Sequence, residues 1–253
     1  FISPTVKGKY YEYYALGKLF DFGNCIPLPS RGYVLSKDFQ LTMKRLPSRE
    51  EYRLLRDLVD GKIGPDELAA RAAPGLRRFA TTPHGEFDPQ AQHYGAFIEA
   101  KFQRLMRRVA QISADALLNK NLNVLIFPQG TRSIRLLPGL TGVTQIALKT
   151  GAPVVPVGCN GSDKIYPGWL PLSPGGRVVY RVGRPLTVAG ELAPFAIPEP
   201  FEPFTRAAEA KFGPNFRGAT DLIMERINAL LDPEYRFAPD AEAIAGTGVR
   251  RFL

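Results

Sequence analysis

Cysteine and histidine are scarce in this chain, two of each in 253 residues. Cys25 and Cys159 are too few and too far apart for a disulfide framework or a metal knuckle, so they read as reduced, half-buried packing residues of a cytosolic protein. The two histidines, His84 and His93, restrict imidazole chemistry to two positions, and neither a bound metal nor a bound cofactor is expected. No run reaches the roughly eighteen uninterrupted apolar residues of a membrane span, and the first residues lack the basic region and apolar core of a secretory leader. Any membrane contact is therefore expected to be peripheral. Acidic residues are also in deficit, 24 against 33 Lys and Arg, which leaves a formal charge of +9 and an isoelectric point near 9.6. That balance favours anionic partners such as acidic headgroups, an acyl carrier protein or nucleic acid. The basic residues are dispersed and carry no recognised nucleic-acid fingerprint, so nucleic acid is not expected among the partners.

What is present supports a globular protein. Hydrophobic residues make up 45% of the sequence, and the length suffices for one full core. The organising stretch is N-V-L-I-F-P-Q-G-T-R-S, Asn123 to Ser133. Val124 to Phe127 reads as a short buried strand closed by Pro128. Gly130 allows close backbone approach, and Thr131, Arg132 and Ser133 gather hydroxyl, guanidinium and backbone donors behind it. A strand ending in such a cluster suits an anion in a parallel-sheet protein, although a plain polar turn after a core strand has the same composition. Downstream, Thr141 to Lys149 reads as a helix stopped by Gly151, and Val154 to Val157 as a strand lying parallel to Val124–Phe127. Arg177 to Val182 reads as a further strand. The stretch from Pro185 to about Pro203 is proline-rich and aperiodic. A last amphipathic helix carries Leu222, Ile223, Ile227, Leu230 and Leu231, and residues 241–253 read as a loosely held tail.

Upstream, Tyr10, Tyr11, Tyr13, Tyr14, Phe20 and Phe22 are mixed with Lys7, Lys9 and Lys18. The mixture fits either a core helix with snorkelling lysines or an interfacial membrane surface. Gly23 to Gly32 holds a short strand leading to Arg31. Residues from about 40 to 120 read as a helical insertion. Ser48 and Glu51 have capping-box spacing there, Gly64-Pro65-Asp66-Glu67 restarts a short helix, and Ile98, Phe102, Leu105, Val109, Ile112 and Ala116 line one side of a long one.

The block F-P-Q-G-T-R-S resembles the F-P-E-G-T-R-S block of the glycerol-phosphate and lysophosphatidic acid acyltransferase family, with Gln129 in place of glutamate. G-A-P-V-V-P-V-G, residues 151–158, resembles the block that this family carries about twenty residues further on. The resemblance implies an α/β fold, a mixed and mostly parallel sheet flanked by helices, in a single domain over residues 1–240. It also implies transfer of a fatty acyl group from a coenzyme A or acyl-carrier-protein thioester to a lysophospholipid or glycerol-phosphate hydroxyl. Arg31, Gly130, Thr131, Arg132 and Ser133 would hold the acceptor phosphate, and Gln129, Pro153, Val155 and Pro156 would line the cleft. The expected location is cytoplasmic, peripheral on the inner face of a membrane.

Acyl transfer also needs a base for the acceptor hydroxyl, a carboxylate to orient that base, and donors for the oxyanion. The family takes base and carboxylate from an H-x4-D block that precedes the others. Here His84 and Asp88 stand as H-x3-D, after the Arg31 block and one residue short of the family spacing. Two placements follow: the pair His84–Asp88, or a dyad lying upstream of Phe1, which the order of the blocks favours. His84 is also readable as part of a capped turn, or with Asp88 and His93 as a metal-ligand trio. Gln129 and the absence of the H-x4-D block also fit a non-catalytic lipid- or anion-binding relative.

Overall fold

The computed structural model describes residues 1–12, 14–130, 133–165 and 175–237. The chain is mixed α/β and divides into two compact units, residues 1–112 and 113–253. The first opens with strand β1 (Ile2–Lys7), a 3-10 turn, helix α1 (Tyr14–Phe22) and strand β2 (Ile26–Leu28). β1 and β2 pair in parallel, Thr5 beside Ile26 and Lys7 beside Leu28, the arrangement that a strand–helix–strand order produces. β2 is the short strand expected before Arg31, whereas β1 is hidden in the sequence by its proline and lysine. α1 exposes Tyr14, Leu19 and Phe22, so this stretch is not a core helix.

Four helices follow: α2 (Arg31–Met43), α3 (Arg49–Val59), α4 (Pro65–Arg71) and α5 (Pro74–Thr81). The expected capping box at α3 is present, with Ser48 Oγ accepting from Glu51 N and the Glu51 carboxylate accepting from Ser48 N. α4 and α5 both begin on proline, where the missing N–H costs no helical bond. The long helix α6 (Tyr94–Leu118) contains the boundary between the two units. The core of the first unit is helical: Val34, Leu35 and Phe39 of α2 meet Leu54, Leu55 and Leu58 of α3, Phe79 of α5, and Phe97 and Ile98 of α6.

In the second unit, β3 (Asn123–Leu125) precedes α7 (Gly142–Thr150), β4 (Val157–Asn160), α8 (Ser162–Ile165), β5 (Val179–Val182) and α9 (Arg206–Ala229). α7 ends as expected on Gly151, in the left-handed conformation at φ 72°. Two expectations need correction. The run Val124–Phe127 is not a buried strand: β3 stops at Leu125, and Leu125 and Phe127 are exposed. Val154–Val157 is not a strand parallel to it either. Val154 forms a single antiparallel bridge with Leu186, and the strand proper starts at Val157 and pairs antiparallel with β5. Proline supplies the reason, since neither Pro153 nor Pro156 can donate to a ladder that runs through them.

The other face of the β4–β5 pair packs on the end of α9. A Cβ on Gly158 would stand 2.7 Å from the Leu230 side chain, so this position has no room for a larger residue. α9 begins well before the apolar run expected from sequence and contains Pro214. Its early turns are held by Ala208 and Phe216 packing with Phe201, a contact that outweighs the bond Pro214 cannot make. Residues 241–253 lie outside the described residues.

Candidate functional site

Pro128 and Gly130 occupy the second and fourth positions of a β-turn closed by Gly130 N donating to Phe127 O at 3.0 Å. Leu140 N donates back to Pro128 O at 2.7 Å and fixes the turn from its other side. Gly130 has φ 64°, and a Cβ there would meet Leu140 at 2.9 Å. Both the backbone conformation and the space therefore call for glycine. Gln129 Nε2 donates to Ser133 Oγ at 2.8 Å, and Ser133 Oγ donates to Arg135 O at 2.8 Å. The chain of donors runs one way. A glutamate at 129 would have to accept from the single Ser133 proton, in competition with the Arg135 carbonyl, whereas glutamine leaves that proton where it is. Arg135 in turn reaches Arg236 O and Phe237 O, and Leu136 N donates to Tyr235 O at 2.9 Å. The strand end is thereby tied to the segment after α9. Thr131 and Arg132, expected on the phosphate, lie outside the described residues. Of the expected cleft residues, Pro153 and Val155 are exposed, Gln129 is half-buried, and Pro156 is buried.

In the first unit, Arg31 is the opening residue of α2, whose cap Ser30 accepts from Tyr33 N at 3.2 Å. Its guanidinium is already engaged. Nε and Nη2 donate to the Glu99 carboxylate at 2.7 and 3.3 Å, and the group lies 4.8 Å from the Phe102 ring centre. Glu99 thus occupies one edge of the fork and leaves the Nη1–Nη2 edge for an anion.

His84 has a carboxylate, but not the one expected. Its Nε2 lies 3.3 Å from Asp38 Oδ2, and its Nδ1 2.9 Å from the Thr82 carbonyl. Asp38, on α2, also accepts from Tyr94 Oη at 3.0 Å and from Lys101 Nζ at 3.1 Å. Burial and the Asp38 carboxylate push the Tyr94 hydroxyl above the ordinary tyrosine range, so it stays a donor. The imidazole stacks on Phe79 at 4.5 Å between ring centres. Both ring nitrogens therefore lie against acceptors within the fold, a carbonyl and a carboxylate. Asp88 instead accepts from Gln90 N at 2.9 Å and shapes the turn before α6. His93 accepts from Ala96 N through Nδ1 at 3.3 Å, a cap on the same helix. The trio His84, Asp88 and His93 does not gather, and among the described residues no cluster has the makings of a metal site.

The Acyltransferase family model matches residues 87–160, from the turn before α6 to the end of β4. That segment is what the chain shares with the acyltransferase family. The matched segment includes the F-P-Q-G-T-R-S and 151–158 blocks, and it begins just beyond His84. A 1-acyl-sn-glycerol-3-phosphate acyltransferase of Cocos nucifera is 49% identical over 51 residues, which cover 19% of this chain and 17% of the relative. A chloroplastic 1-acyl-sn-glycerol-3-phosphate acyltransferase of Brassica napus is 49% identical over 53 residues, covering 20% of this chain and 15% of the relative. The matches therefore span less than a fifth of either curated relative. No solved structure matches the chain. Among the described residues, no helix is long and apolar enough to cross a membrane.

Sequence reasoning missed Asp38, Tyr94, Glu99 and Lys101. One signal was available: Asp38 continues the spacing of the buried Val34 and Leu35 on α2, and a carboxylate on an apolar face calls for partners.

Proposed function

We propose that this chain transfers an acyl group from a coenzyme A or acyl-carrier-protein thioester to the free hydroxyl of a lysophosphatidic acid or a related glycerol-phosphate, a step of phospholipid synthesis. The observation that carries this reading is the F-P-Q-G-T-R-S block, whose Gly130 sits in the left-handed conformation that favours glycine, inside the segment that the family model matches. In the reaction the acceptor oxygen bonds to the thioester carbonyl carbon, the C–S bond breaks, and the hydroxyl proton ends on the departing thiol. No bound cofactor takes part. Gly130, Thr131, Arg132 and Ser133 hold the acceptor phosphate. Pro153 and Val155 line the apolar side of the cleft. Both histidines are engaged within the fold, His84 against a carbonyl and a carboxylate and His93 at a helix start, which disfavours either as the base. The engaged histidines also favour a second reading, a lipid-binding relative without activity.

The test is transfer from a labelled acyl thioester to lysophosphatidic acid in detergent, with the protein carried on its natural gene and compared with Arg132→Ala and His84→Ala. Arg132→Ala is expected to lower kcat/KM by about a hundredfold or more with the unfolding midpoint unchanged, as when a charged phosphate contact is lost. His84→Ala is expected to lower the midpoint and leave most of the residual rate. Loss of all transfer in a stably folded His84→Ala would make His84 the base. An inert protein that binds lysophosphatidic acid through Arg132 would establish the second reading.

A further inference from the structure

We propose that the outward face of α1 is a docking surface for an acidic lipid bilayer. Tyr14, Lys18 and Phe22 recur every four residues and form one stripe along the helix, with Leu19 beside it. Their exposure is high: 81% for Tyr14, 60% for Leu19 and 88% for Phe22. The opposite side already anchors the helix. Gly17 is buried, with no more than a close contact of space above the Tyr11 backbone, and Phe20 packs on Tyr11 with ring centres 5.3 Å apart. Tyr11 in turn donates to Cys25 O at 2.7 Å. The fold therefore does not use the outer aromatics.

The composition of the stripe selects the partner. Lys18 sits in its middle, with Nζ 5.9 Å from the Tyr14 ring centre. A lysine is out of place in the dry centre of a contact between two proteins. At the headgroup layer the same mixture is favourable: the rings settle at the interface, and the lysine reaches lipid phosphates while its stem covers apolar surface. The surrounding charge agrees, with seven Lys and Arg against three Asp and Glu in residues 1–45 and +9 over the chain. Asp21 is the one acidic residue on the exposed flank of the helix. This inference rests on α1 alone and not on the acyl-transfer reading, which it would complement by placing the chain where lysophospholipids partition.

Vesicle flotation tests it, using phosphatidylcholine vesicles with and without phosphatidylglycerol. Wild type is expected to float with the acidic vesicles and to be released by salt. Tyr14→Ser/Phe22→Ser should weaken binding by about tenfold or more, from the lost burial of two rings. Lys18→Glu should weaken binding to acidic vesicles only. Leu46→Ser, at a comparably exposed leucine outside α1, should change nothing, and the double variant should melt as wild type does. The proposal fails if the double variant floats as wild type does. It also fails if the double substitution collapses the melting transition, because the rings would then pack within the fold, or if it dissociates an oligomer that shows no vesicle binding. A chain that floats but transfers no acyl group defeats only the proposed reaction, and one that transfers in detergent but ignores vesicles defeats only this surface.

Discussion

Around His84 the polar atoms face one another: Asp38 collects three donors, the imidazole is held between two acceptors, and aromatic rings close the remaining sides. Along the Phe127–Gly130 turn the opposite holds. Its hydrogen bonds fix the backbone and one donor chain, and Gly130 at its corner remains exposed. The first region contains everything usually sought in a catalytic site, a histidine, a carboxylate, a tyrosine and a lysine, and yet all of it is consumed internally. The second contains little that titrates and lies wholly inside the matched segment, which takes in only Tyr94 and Lys101 of the first. Residue types suited to catalysis are thus a poor guide until their hydrogen bonds have been counted, because a buried carboxylate must collect such partners for stability alone.

Asp38→Ala breaks the comparison at its strongest point. It would strip the partner from Lys101, His84 and Tyr94 at once, and urea unfolding should show a loss of about 3–5 kcal/mol, as for a buried charge left without its counter-charge. A change below about 1 kcal/mol would mean that the cluster is not a structural knot. Gly130→Ala comes next. A φ of 64° and the Leu140 contact at 2.9 Å predict a loss of about 1–2 kcal/mol, accompanied by reduced acyl transfer. Full activity in a stable Gly130→Ala protein would separate the turn from the site. The smallest effect is expected from Gln129→Glu, which restores the family's residue. Stability should change by less than about 1 kcal/mol, measured by thermal melting, as Ser133 turns from the Arg135 carbonyl to the new carboxylate.

The legible parts of this sequence were those governed by neighbours along the chain. Ser48 with Glu51, Pro65 at a helix start and Gly151 at a helix end each carry their structural meaning within four residues. The block around Gly130 is local in the same sense. What escaped depended on distant contacts. Asp38 meets His84 and Lys101 across 46 and 63 residues, and no periodicity announces a pairing of that kind. The start of β4 was misplaced because apolar β-branched residues were weighted above the missing N–H groups of Pro153 and Pro156. α9 was cut short because its periodic apolar run begins only at Leu222, while Phe201 holds the early turns from outside the local sequence. For α1 the composition allowed two orientations, and only the fold shows which side faces outward.

Helix α2 carries Arg31 at its first residue and Asp38 two turns on, while α6 answers with Glu99 and Lys101 in the reverse sense. The two helices therefore meet like a polarised plug and socket. Sliding either one, or turning it end for end, would bring like charges together, whereas the apolar contacts between them would tolerate several seatings. The candidate phosphate arginine thus sits on one pin of that plug, and its position is keyed by a pair of charges that never need to touch a substrate.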